Sequence, residues 1–95
     1  MSPETFLALL IFAFVIAGIG SLRSAAIRLA GAEAPTPIDG DTEVLTLSGS
    51  LSGGNAHLHM SVADAQGRVL GGHVGAGCIV RTTAEVLLVL LPEWQ

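Results

Sequence analysis

The chain has 95 residues, 51% of them hydrophobic, with four arginines, no lysine and eight acidic residues for a formal net charge of −4. That length allows one small domain, burying only about 60–65% of its unfolded surface, and a thin core of this kind is commonly reinforced by oligomerisation. Arg23, Arg28, Arg68 and Arg81 stand singly and form no cluster that would neutralise a phosphate backbone, so direct DNA binding is disfavoured; the single Cys78 excludes an internal disulfide and fits a reducing compartment.

The first element is Thr5 to Leu22, TFLALLIFAFVIAGIGSL, eighteen residues without a charge. It is close to the lower limit for a membrane helix. No lysine or arginine precedes it, as a secretory signal would require, and only Arg23 and Arg28 follow. Its character changes midway, from helix-prone FLALL to β-branched, glycine-broken FVIAGIG. This split predicts two soluble elements: an apolar N-terminal segment over residues 1–12 (a helix turn or a remnant), and a strand in which Phe14 to Ile19 pairs into a sheet. A cytoplasmic chain is expected, with membrane insertion the alternative.

SLRSAAIRLA, residues 21–30, alternates only weakly. Gly31 to Pro37 carries two prolines and reads as a loop, and Asp39-Gly40 adds a turn signal. EVLTLSGSL, residues 43–51, predicts a half-buried strand with Leu45, Leu47 and Leu51 on one face and Thr46, Ser48 and Ser50 on the other. Ser52-Gly53-Gly54-Asn55 is a turn. The final run, AEVLLVLLPEWQ, is apolar on both faces until Pro92, which predicts a central strand covered on both sides.

Between these lies HLHMSVADAQGRVLGGH, residues 57–73, which holds all three histidines. Asp64-Ala65-Gln66-Gly67 has the residues of a type I turn followed by a left-handed glycine, the common three-residue hairpin loop with a bulge. Asp64 then stands opposite Arg68, and His59 opposite His73. His57 shares their face, because residues two apart on a strand point the same way. One face carries Leu58, Met60, Val62, Leu70 and Val74. The other carries His57, His59, Ser61, Gly71, His73 and Gly75. A two- or four-residue loop would send His73 to the opposite face. Three converging imidazoles suit zinc or a similar divalent ion, with a fourth position left for water or another ligand. The plainer reading is three solvated surface histidines. Cys78 is a candidate fourth ligand, or simply a small buried side chain.

HLHMSVADAQGRVLGGHVGAGCIVRTTAEV resembles the plant-and-prokaryote conserved (PPC) domain, also found in plant AT-hook proteins that bind DNA. The likeness extends upstream through AFVIAGIGSLRSAAIRLAG and TEVLTLSGSL and covers residues 13–92, with 93–95 a tail. The resemblance implies an α/β (α+β) domain built on a mixed, largely antiparallel sheet with few helices. It also implies assembly as a homotrimer and a metal-binding unit formed by His57, His59 and His73. Relative to the family, the chain reads as shortened at both ends, and the AT-hook is absent.

The expected function is therefore a small metal-binding module, a trimeric binding or regulatory domain. The alternatives are a metal-dependent enzyme and a DNA-associated protein by family analogy. An enzyme needs a general base near the metal water, for which Glu43, Asp64 and Glu85 are the candidates.

Overall fold

The computed structural model describes residues 12–91, which form five strands and, among the described residues, no helix. They are β1 (Ala13–Arg28), β2 (Thr36–Ser52), β3 (Asn55–Ala63), β4 (Val69–Val74) and β5 (Ile79–Leu90). Every pairing is antiparallel. The α/β (α+β) expectation, with a mixed sheet, is thus corrected to all-β for the described residues. For strands that follow one another in the chain, the links explain why. Parallel pairing needs a crossover of about a dozen residues or more, usually helical, and the longest link here, between Arg28 and Thr36, has seven.

The sheet order is β2-β3-β4-β1-β5, with a further pairing of β2 to β1. The first four strands therefore close into a ring, and β5 flanks it on β1. β1 pairs with β2 along most of its length, from Ala13↔Leu51 to Ile27↔Thr36. Its opposite edge pairs with β5 over Ala13 to Ser24 and with β4 only at Ile27↔Val74 and Arg28↔His73. The ring encloses the core: Leu22, Ala25, Ile27, Val44, Met60 and Val62, with Leu29, Ile38, Leu47, Leu70, Val74 and Cys78 packed around it. Ile27 and Val62 are fully buried. Phe14 to Ile19 lies in β1 as expected, so Ala13 to Leu22 is strand rather than the second half of a spanning helix. No helix among the described residues is long and apolar enough to cross a membrane. The proposed N-terminal segment, residues 1–12, lies outside the described residues except for Phe12, and the tail, residues 93–95, lies outside them entirely.

Three local expectations are corrected. Asp39-Gly40 makes no turn. It sits inside β2, where the register with β1 slips between Leu22↔Thr42 and Ser24↔Asp39, a bulge that bends the long strand. A second bulge lies between Val44↔Val62 and Thr46↔Ser61. The extra residue is Leu45, which turns outward at 45% exposure, so Val44 and Leu47 face the core instead of Leu45 and Leu47. The last correction concerns β5. Its twelve residues are all exposed among the described residues, and only β1 pairs with it, so it is a sheet edge rather than a covered central strand.

The ring closes where β4 meets the end of β1, and Gly72 permits that approach. A Cβ on Gly72 would lie 2.5 Å from the Arg28 carbonyl oxygen and 3.0 Å from Ile27 Cγ2. Backbone on one side and a fully buried isoleucine on the other leave little room to shift. Gly72→Ala is expected to lower stability by about 1–3 kcal/mol through overpacking. Urea unfolding of both proteins measures the difference, and equal midpoints would show that the seam yields without cost.

A candidate metal centre on the outer face of the ring

The histidine hairpin begins with its loop. Gly67 N–H donates to the Asp64 carbonyl at 2.9 Å, and Asp64 N–H donates to the Arg68 carbonyl at 2.9 Å. Gly67 has φ 80°, the left-handed conformation the bulged loop needs. One oxygen of the Asp64 carboxylate accepts from Gln66 N–H at 3.0 Å and Arg68 N–H at 2.8 Å, while the other pairs with Arg68 Nε at 2.7 Å. The Arg68 amide holds the Asp64 carboxyl below its ordinary pKa, against partial desolvation. Arg68 is largely exposed, so the ion pair contributes little beside the backbone bonds.

This loop sets the register Ala63↔Val69, Val62↔Leu70 and so on to His59↔His73. The three-residue loop and the opposition of the two histidines are as expected from sequence. Met60 and Val62 point inward and are buried, while His57 and His59 are exposed and His73 is half-buried. Across the ring, Ser48 stands opposite His59, Ser50 opposite His57 and Arg28 opposite His73. Directly opposed residues share a face. Arg28, His73, His59 and Ser48 therefore run in line across four strands, and His57 lies two residues along from His59.

The imidazoles converge. Ring centroids are 4.2 Å apart for His59 and His73, 5.2 Å for His57 and His59, and 5.3 Å for His57 and His73. One nitrogen from each ring lies within 4.8 Å of the other two. Three nitrogens each about 2.0–2.1 Å from one zinc ion would be roughly 3.3 Å apart in tetrahedral geometry. The three nitrogens are gathered on that scale, and a set of three imidazoles suits a divalent ion. Desolvation keeps the His73 imidazole below its ordinary pKa of 6.5, and the charges of Arg28, His59 and His57 act in the same direction. A ring biased to its neutral form has its lone pair free for a metal.

Cys78 does not join this group. Its thiol lies against β1, where it accepts from Ala26 N–H at 3.4 Å and meets the carbonyls of Ala26 and Gly75 at 3.5 and 3.4 Å. The candidate bases lie apart as well. Glu43 stands opposite Ala63, four residues along β3 from His59 and so about 13 Å away at ~3.3 Å per residue. Asp64 is committed to the loop, and Glu85 is opposite Ile19 on β5. Arg28 is the neighbour that sequence reading missed. It pairs with His73 across forty-four intervening residues, and no local pattern announces a contact made by ring closure.

A profile of the Plants and Prokaryotes Conserved (PCC) domain, the PPC domain by its other abbreviation, matches residues 9–92. The bifunctional protein GlmU of a Synechococcus species is 44% identical over 86% of this chain, which spans only 13% of that protein's length. A hypothetical protein from Salmonella cholerae-suis, solved by structural genomics, is 42% identical with a TM-score of 0.82, over 94% of this chain and 66% of its own. A metal-containing protein from Archaeoglobus fulgidus superposes with a TM-score of 0.59 at 26% identity, covering 92% of this chain and 66% of its own.

Two outcomes follow from this geometry. A His73 pKa lowered in the folded state means that the unfolded chain binds the proton more readily. Stability is then full above about pH 6.5, where neither state is protonated, and falls as pH drops through the folded value. The urea midpoint of metal-free protein should fall between pH 7.5 and pH 5, and His73→Gln should flatten that slope. Equal slopes would assign the effect elsewhere. Gly67→Val, forced into a left-handed conformation, is expected to cost about 1–3 kcal/mol and to reduce metal retention by disturbing the histidine register. Unchanged melting and metal content would contradict the role given to this loop.

Proposed function

We propose, for a chain that belongs to the Plants and Prokaryotes Conserved (PCC) domain family, a role as a metal-binding module in which His57, His59 and His73 hold one divalent ion. The observation that carries this reading is the convergence of all three histidines of the chain on one outer face, with one nitrogen of each within 4.8 Å of the others. Zinc is the preferred ion, because the donor set is three borderline-soft imidazoles with no hard carboxylate among them. The metal-containing relative from Archaeoglobus supports the reading from outside the chain. When bound, such an ion supplies a Lewis-acidic centre with one coordination position open to a further ligand.

The module is read as a homotrimer with a binding or regulatory role. The support is the exposed apolar strand β5, where Val86 to Leu90 are each 41–69% exposed, more apolar surface than a small domain usually leaves to water. A lone, half-buried thiol with no disulfide partner is compatible with a cytoplasmic setting. In the Synechococcus relative the matched region is a minor part of a longer protein, and nothing of that protein's bifunctional role is carried to this chain.

Purified protein is expected to contain one ion per chain, and His59→Ala to lose most of it, because two imidazoles make an incomplete site. Elemental analysis after dialysis against a weak chelator decides the point. Equal metal in the two proteins would overturn the assignment. Sedimentation equilibrium on the same sample should give the mass of three chains.

A further inference from the structure

We infer that the open position of the three-histidine site receives a small oxyanion, a carboxylate or phosphate group, and that Arg28 recognises it. This rests on the metal reading above and concerns what the metal would bind. The first ground is charge. Three neutral imidazoles leave the full +2 of a divalent ion uncompensated, and the group that would hold it includes no carboxylate. The two ion pairs among the described residues, Arg68–Asp64 and Arg81–Asp41, engage other arginines and other acids. Ser48 and Ser50, opposite His59 and His57, are neutral. In a chain with net charge −4 this face thus gathers positive charge without a counterion of its own.

The second ground is the placement of Arg28. It is half-buried and stands directly opposite His73, on the same face as the imidazoles. Among the described residues it makes one side-chain hydrogen bond, from Nη1 to the Ala32 carbonyl at 3.3 Å, and no ion pair. A guanidinium has five N–H donors in a planar fork that matches carboxylate and phosphate oxygens. Arg28 has most of that fork unspent. An oxyanion joined to the metal through one oxygen would leave another oxygen for Arg28. The shared chemistry is that of a charged oxygen acceptor.

Cobalt(II) in place of the native ion makes the site visible by absorption. Acetate and inorganic phosphate, titrated separately into the cobalt-loaded full chain, should each shift the cobalt bands saturably, and the tighter of the two identifies the ligand class. Arg28→Met should bind cobalt as the wild type does yet hold the anion at least about tenfold more weakly, the range expected for losing a charged hydrogen bond. Arg28→Lys, which keeps the charge without the fork, should fall between. Circular dichroism establishes that both variants fold, and the wild-type titration stands without them. Stoichiometric cobalt with no response to either anion would overturn this inference alone. So would equal anion affinity in the wild type and a folded Arg28→Met. A wild type that fails to hold cobalt through its histidines would overturn the metal reading and this one together.

Discussion

The structure depends on the short seam where β4 returns to the end of β1. Two residue pairs, Ile27↔Val74 and Arg28↔His73, and one further bond from Gly75 N–H to the Ala26 carbonyl at 2.8 Å hold it. Without that seam β2, β3 and β4 would be an open meander hung on one side of β1. Its core would then be exposed along a free edge. With it the ring encloses Ile27 and Val62, the two side chains fully removed from water. A residue without a side chain is needed at Gly72 because two backbones and a packed isoleucine meet there. The same contact carries Arg28 to the side of His73, so closing the core and assembling the outer face are one event.

The second constraint is the five-residue stretch Asp64 to Arg68. A three-residue loop with a left-handed glycine places His59 opposite His73. Because side chains alternate along a strand, a loop one residue shorter or longer would bury one set of histidines and expose Met60 or Leu70 instead. Core and site therefore select the same register, and neither has to yield to the other. The bulge at Leu45 has the opposite character, since it breaks the alternation of β2. The partners it leaves in place, Val44↔Val62 and Leu47↔Met60, both join the core.

β5 is the part of the chain that its own contacts leave incomplete. It pairs along β1 through Ala13↔Leu90 and Phe14↔Val89, and its second edge is free among the described residues. A run such as EVLLVL is suited to burial on both faces, yet here it lies open. In energetic terms the ring is a self-sufficient core and β5 an apolar margin. That division sets the histidine site, on the ring, apart from the surface most in need of a covering partner.

Composition and local pattern were enough to determine the hairpin. Asp64 and Gly67 dictate the loop, the loop dictates the register, and period-two alternation then separates Met60 and Val62 from His57, His59 and His73. All of this acts within seventeen residues and needs no distant partner. The shared face already suggested a metal site, family resemblance pointed to the same three histidines, and its α/β implication did not hold for the described residues. Tertiary structure alone decided what depends on strands far apart in sequence. Asp39-Gly40 reads as a turn until β1 holds it in a strand as a bulge, and Leu45 reads as core until pairing with β3 turns it out. β5 reads as central because hydrophobicity records what a segment prefers, not what is available to cover it. Arg28 becomes a neighbour of His73 only when the ring closes, since a cross-sheet contact is set by backbone pairing between distant strands and leaves no periodic trace in either one.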